Sequence, residues 1–197
     1  MPAPPLAPGT LRIIAGEWRG RRVPVGDAAG LRPTPDRIRE TLFNWLAPVL
    51  PGMHCLDLFA GTGALGLEAL SRGAAQACFV EAQPALARAL EQALARLGCE
   101  PARARVVRAD ALQYLAGPPR AFDLVFLDPP FGAVDLGRLC TLLDGGWLAD
   151  GARIYLEMAR SASLPPLPPG WELLREKEAG QVRYALARRR PSMPEEA

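Results

Sequence analysis

The sequence predicts an α/β domain organised around a mostly parallel sheet. Three observations carry this reading. From residue 53 onward, short apolar runs alternate with helical segments, the pattern of βαβ units. The first of these runs, Cys55-Leu56-Asp57-Leu58, enters a glycine-rich turn and then a helix. The last two β-prone runs, by contrast, are joined by Ala179-Gly180 alone, a connection that makes an antiparallel pair. At 197 residues and 49% hydrophobic, the chain has the size of one globular domain and can bury a substantial core.

The elements follow in order. Residues 11–16 and 21–25 are short β-prone runs separated by Glu17-Trp18-Arg19-Gly20, which predicts a basic hairpin with an aromatic near its turn. Thr34 is a candidate N-cap, Pro35 suits a first helical position and Asp36 suits the positive helix end. Ile38, Leu42, Trp45 and Leu46 then recur at helical spacing, so residues 35–47 form an amphipathic helix that Pro48 and Pro51-Gly52 stop. Strands are predicted at 53–58, 76–81, 104–108, 122–127 and 152–157, with helices at 63–72, 84–97, 110–116 and 135–144. A Pro-rich loop at 161–170 precedes the closing antiparallel runs, 171–178 and 181–188.

Several classes are excluded. No stretch of about 18 apolar residues escapes interruption, and the Pro/Ala-rich start lacks the pattern of a signal peptide, so a cytoplasmic protein is expected. Four cysteines without CxxC spacing and a single histidine, His54, argue against a metal site and predict small buried thiols. Charge is uneven: seven arginines face four acids between residues 11 and 40, and six basic residues face two acids between 175 and 190. A polyanion-binding protein gathers positive charge in this way. With 22 arginines and one lysine, the same bias is also what a G+C-rich genome writes.

Gly61, Gly63 and Gly66 spell GxGxxG at a strand-to-helix turn, and Glu81 ends the next strand where a ribose-binding acid belongs. Alone, this would fit a nicotinamide enzyme. Asp57, four residues before Gly61, tips the balance, because a carboxylate there repels a pyrophosphate but accepts hydrogen bonds from an ammonium group. S-adenosylmethionine carries such an ammonium and a sulfonium, and amides at the helix start can meet its carboxylate. Asp110, after the third strand, is within reach of an adenine amine, which puts three acids at the carboxyl ends of three consecutive strands.

The fourth strand ends in Asp128-Pro129-Pro130-Phe131. Each proline lacks an N–H and fixes φ, leaving a rigid stretch that offers the Asp128 carboxylate and the Pro129 carbonyl with no competing donor. That suits the exocyclic amine of a nucleobase, whose nitrogen attacks only when pulled toward tetrahedral geometry. Phe131 would stack on the base, a contact worth roughly 1–3 kcal/mol. The base must come from an unpaired loop or be flipped from a stack.

These stretches resemble a known family. DLFAGTGALGLEALSRGA (57–74), LDPPF (127–131), LRPTPDRIRETLFNWLAP (31–48), LRIIAGEWRGRRVPV (11–25), GWLAD (146–150) and REKEAGQVRYAL (175–186) are similar to the bacterial small-subunit (16S) ribosomal RNA guanine-N(2)-methyltransferases. The resemblance implies a class I S-adenosylmethionine-dependent methyltransferase fold, Rossmann-like, with seven strands in the order 3-2-1-4-5-7-6 and the last antiparallel. It implies methyl transfer to the 2-amino group of one guanine in 16S rRNA, on assembled or assembling 30S subunits, by a monomer that needs no metal or membrane. Carried over by motif, Asp128, Pro129 and Phe131 form the catalytic set. Gly61, Gly63, Glu81 and Asp110, with Phe59 and Ala111 beside them, hold the cofactor, and Asp57, Thr34 and Arg37 lie near its methionine end. Arg12, Trp18, Arg19, Arg21, Arg22 and Arg32 are the expected RNA contacts. The chain then divides into a tail (1–10), an RNA-binding and cofactor-covering extension (11–48), a methyltransferase domain (49–190) and a second tail (191–197).

Other readings stay open on the residues alone. The DPPF geometry also fits an adenine amine in nucleic acid or a protein glutamine amide. A nicotinamide oxidoreductase explains neither Asp57 nor DPPF, and a noncatalytic ribosome-assembly factor would keep the fold without transferring methyl groups.

Overall fold

The computed structural model describes residues 9–24 and 35–191. Two short strands, β1 (Thr10–Arg12) and β2 (Arg22–Pro24), pair antiparallel before helix α1 (Asp36–Leu46). The remaining strands are β3 (His54–Asp57), β4 (Gln76–Glu81), β5 (Ala104–Arg108), β6 (Phe122–Leu127), β7 (Leu148–Ala159), β8 (Trp171–Ala179) and β9 (Val182–Arg189). Between them run α2 (Ala64–Ser71), α3 (Pro84–Leu97), α4 (Ala111–Leu115) and α5 (Leu136–Asp144). These seven strands form one sheet in the order β5-β4-β3-β6-β7-β9-β8. Pairing from β5 to β7 is parallel, and β9 runs antiparallel to both of its neighbours. Counted within the sheet this is 3-2-1-4-5-7-6, the order expected above.

Alternation along the strands sends side chains to opposite faces and so builds two cores. Phe79, Phe126, Tyr155 and Tyr184 face α1 and α2, where they meet Ile38, Leu42, Phe43 and Leu46. Val80, Val125, Leu127 and Leu156 face α4 and α5, where they meet Leu115, Leu139, Leu143 and Trp147. Cys55, Cys78 and Cys140 are buried free thiols, Cys99 is partly exposed, and burial pushes the thiol of each buried one above its ordinary range.

Several element boundaries differ from the sequence-based expectation. The strand expected at 152–157 is longer, and β7 begins at Leu148, because a register shift between Phe122 and Leu124 absorbs the irregular residues. Helix α1 begins at Asp36 with Pro35 as its N-cap and no side-chain cap. The proposed cap, Thr34, lies outside the described residues, as do Arg32 and most of the two expected tails.

The N-terminal hairpin is narrower than predicted for a physical reason. Only three residues of each strand pair, since the amides of Ile14 and Ala15 turn away to donate to the Glu68 carboxylate at 2.8 and 3.0 Å. Ser71, at the end of α2, accepts from the Trp18 amide at 2.9 Å and donates to the Ala15 carbonyl at 2.6 Å. Trp18 is only 2% exposed and packs beneath the guanidinium of Arg103, which lies 5.7 Å from its ring centroid. This corrects its expected contact with RNA: an indole buried in the core has no face to offer a base. Arg21 stays exposed, and its guanidinium donates to the carbonyls of Arg96 and Leu97, so that it caps the C-terminus of α3.

Glu68 itself is fully buried. It lies 2.7 Å from Arg72 Nε and 3.5 Å from Arg39 Nη1, and Arg39, 1% exposed, also donates to the Arg12 carbonyl and to Asp36. Removing one member of a buried ion pair leaves the other charged and unsolvated, which costs about 3–5 kcal/mol. Glu68→Ala should therefore lower the unfolding free energy by about that amount in urea denaturation. A loss below about 1 kcal/mol would show that the extension does not depend on this carboxylate.

Candidate functional site

The carboxyl ends of β3, β4 and β6 lie side by side, in register through Asp57↔Phe79 and Asp57↔Phe126. Asp57 therefore ends the strand that enters the glycine turn. The Leu58 amide donates to the Phe126 carbonyl at 3.2 Å and the Ala60 amide to the Val80 carbonyl at 2.9 Å, so the turn is tied to both neighbouring strands. Gly63, the N-cap of α2, has φ +77°, a conformation that side-chain-bearing residues avoid. At Gly66 a Cβ would meet the Phe79 ring at 2.2 Å, so the helix can approach the sheet this closely only with glycine.

The acids at this rim are held in distinct ways. The Glu81 carboxylate accepts from the Gly61 amide at 2.8 Å and the Gln83 amide at 2.7 Å, one on each oxygen, and thereby fixes the turn to the end of β4. Asp57 is buried and accepts from the Gly66 amide at 3.0 Å. Burial drives its carboxyl up to about 7, with the charges of Asp128 and Glu81 adding to the shift and the Gly66 bond opposing it. Asp110 is exposed and caps α4, accepting on Oδ1 from the amides of Leu112 and Gln113 at 2.8 and 3.3 Å. Ala111 begins that helix and is buried, whereas Phe59 is partly exposed against the α4 and α5 core.

Asp128-Pro129-Pro130-Phe131 follows β6 directly. The Pro130 carbonyl accepts from the Ala133 amide at 3.0 Å, which closes a turn and leaves Phe131 at its outer edge, 52% exposed. An aromatic ring on the surface beside a cluster of acids is not a core residue. Asp128 is close enough to Asp57 to act on its ionisation, so the turn and the glycine bend share one end of the sheet.

Sequence reasoning missed Glu157. It stands near the end of β7, and Leu156 is the register partner of Leu127, so Glu157 neighbours Asp128 across the strands. It is 4% exposed and accepts from the Tyr155 hydroxyl at 2.7 Å. Burial raises its carboxyl well above the usual range and the charge of Asp128 raises it further. An acid at the carboxyl end of a buried strand was a legible signal, since it repeats the placement of Asp57 and Glu81.

The remaining expected residues are dispersed. Arg37 is exposed on the first turn of α1, and Arg19 and Arg22 are exposed on the extension. Arg12 is half exposed and pairs with Asp36 at 3.1 Å, beside a cavity of about 280 Å³ that Arg22 and Arg39 also line. Among the described residues, no group of three or more His, Cys, Asp or Glu is placed to hold a metal ion, and no helix is long and apolar enough to cross a membrane.

Comparison with known proteins gives this geometry a context. A family profile described as "Conserved hypothetical protein 95" matches residues 11–188. Ribosomal RNA small subunit methyltransferase D of Escherichia coli strain K12 is 53% identical over 182 residues, 92% of this chain and 91% of that protein. The protein of the same name from Haemophilus influenzae is 45% identical over 185 residues, covering 92% and 95%. Among solved structures, yhhF from Escherichia coli matches with a TM-score of 0.86 at 50% identity, over 92% of this chain and 99% of that one. HI0767 from Haemophilus influenzae matches with a TM-score of 0.80 at 41% identity, over 92% and 99%. The strand order is that of class I S-adenosylmethionine-dependent methyltransferases, and the chain belongs to the ribosomal RNA small subunit methyltransferase D family.

Proposed function

We propose that this protein transfers a methyl group from S-adenosylmethionine to the exocyclic 2-amino group of one guanine in 16S rRNA, on the assembled or assembling 30S subunit. One observation carries the reading: the Asp128-Pro129-Pro130-Phe131 turn, whose two prolines offer no N–H and whose ring is exposed, stands beside the acid-lined glycine bend at one end of the sheet. The names of the relatives support small-subunit rRNA as substrate.

The residues present fit the cofactor. Each Glu81 oxygen carries one backbone bond and keeps a second lone pair for a ribose hydroxyl. Asp57 can compensate an ammonium group, and Asp110 accepts its two helix amides on one oxygen, leaving the other for an adenine amine. S-adenosylmethionine supplies an electrophilic methyl on a sulfonium, a leaving group that asks for no metal. Asp128 and the Pro129 carbonyl accept the two N–H groups of the amine out of the base plane, which favours the tetrahedral nitrogen of the transition state. Phe131 sets the height of the base. The amine proton, acidic only as the new N–C bond forms, passes to Asp128. Glu157, buried behind Asp128 and disfavoured as an anion, keeps a second negative charge from that wall.

Labelled methyl transfer into small subunits, protein-free rRNA and DNA tests the assignment, followed by mapping of the modified nucleotide. Label on a guanine 2-amino group of 16S rRNA is expected; label in DNA or protein alone would refute it. Asp128→Ala should reduce turnover at least 100-fold, in the range seen when one transition-state acceptor or donor is removed, with cofactor affinity little changed. Unchanged turnover would remove Asp128 from the chemistry.

Cofactor binding should also depend on pH through Asp57. A cation beside this carboxyl requires its ionised form, so below about 7 binding must first drive off the proton, at a cost of about 1.36 kcal/mol per pH unit. Affinity should therefore climb as pH rises toward 7 and flatten above it, and Asp57→Asn should bind more weakly with no such rise. Isothermal titration across pH 5 to 8 checks this; parallel wild-type and variant profiles would dissociate Asp57 from the ammonium.

A further inference from the structure

Arginines on β7, β8 and β9 divide sharply by their partners. Near the β8–β9 turn, Arg160 and Arg183 pair with Glu176 and Glu178. On the same face of β9 as Arg183, Arg189 pairs with Asp144 and Asp150. At the other end of the hairpin the balance fails. Arg188 and Arg190 share a single acid, Glu172, while Arg153 and Arg175 have no ion pair among the described residues. Four guanidiniums thus stand against one carboxylate.

These residues lie together. Arg153 is the register partner of Arg188, and Arg188 of Glu172, so the three form one row across adjacent strands. Arg153 and Arg175 line a cavity of about 350 Å³ with Asn44, Trp45, Leu174 and Leu186. Trp45 is half-buried and holds one face against Tyr184, with ring centroids 5.5 Å apart, while its remaining surface borders the cavity. Arg188 Nε is buried without a hydrogen-bond partner. Burial, and then the charge of Arg188, lower the proton affinity of Arg153, with Glu172 opposing, so the row is short of negative charge.

We propose that this face, between the C-terminal end of α1 and the β7–β9–β8 edge, is a second RNA seat, in which Arg153, Arg175, Arg188 and Arg190 bind backbone phosphates and Trp45 carries one unpaired base. It rests on the reading of rRNA as substrate and adds an anchor outside the catalytic rim. Arg153 lies four residues before Glu157 on β7, about 13 Å along the strand. The missing charge is what phosphates supply, and a fixed indole beside guanidiniums is a stacking platform for a base. An apolar partner would leave the four arginines unpaired.

The test measures binding of the whole protein to small ribosomal subunits and to protein-free 16S rRNA over a range of salt. Arg153→Ala with Arg175→Ala should weaken both about 10-fold near 50 mM salt and reduce the slope of log affinity against log salt by about 1 to 2, as expected for two lost phosphate contacts. Trp45→Ala should weaken binding about 5- to 100-fold with the slope preserved. The double variant should keep cofactor affinity, melting temperature and turnover at saturating subunits, so that only KM rises. Arg153→Lys with Arg175→Lys should retain affinity within about threefold, because the charge remains. Unchanged affinity and slope in the alanine double variant would overturn the proposal. So would a loss confined to intact subunits, which would assign the face to an acidic ribosomal protein. If the substrate reading itself were wrong, wild-type protein would fail to label rRNA, an outcome independent of these variants.

Discussion

The buried carboxylate of Glu68 is the constraint on which the arrangement depends. It gathers two arginines from different elements and two amides of the N-terminal segment, so every element in contact with it is fixed relative to α2. A buried ion pair of this kind is weak evidence for stability, because desolvation offsets most of the attraction. Its effect here is on geometry. The extension cannot move as a free arm while Ile14 and Ala15 donate to Glu68 and Ser71 clasps the next turn. The other end of α2 is the glycine bend, so eight residues of helix couple the seating of the extension to the shape of the rim.

The sheet solves a second electrostatic problem at its carboxyl end. Four acids, Asp57, Glu81, Asp128 and Glu157, crowd a space that cannot hold four uncompensated charges. Glu81 meets two amides and stays tied to the turn. Asp57 has one amide and Glu157 one phenol, and both are driven toward the neutral form by burial and by Asp128. A rim poised between protonation states suits a site whose ligands bring a cation and amine donors, since such ligands favour the charges that burial suppresses.

Most of this order was legible before any coordinates. Period-two and period-3.6 patterns placed β3 to β9 and α1 to α5 within a few residues, since long periodic segments leave little room for alternatives. The placement of Asp57, Glu81 and DPPF at strand ends was legible because each follows a short apolar run bounded by turn residues. What escaped were pairings between distant residues. Nothing local distinguishes Arg21, which caps α3, from Arg19, which faces solvent. Trp18 looked like a surface aromatic because its neighbours are charged, yet Arg103, far along the chain, covers it. Glu68 lay unremarked inside a helical run, its partners up to 54 residues away.

The arginines make the general point. Composition alone could not separate nucleic-acid binding from genomic bias, because both produce the same count. Structure separates them by compensation: an arginine whose charge is matched by carboxylates is balanced within the fold, whereas arginines that share one carboxylate or have none leave charge for a polyanion. By that criterion Arg39, Arg103, Arg183 and Arg189 belong to the fold. Charge left over after these pairings is what a partner can feel at a distance, and it falls on discrete surfaces instead of spreading with the sequence bias. Net charge near +2 therefore conceals a molecule whose positive potential is local.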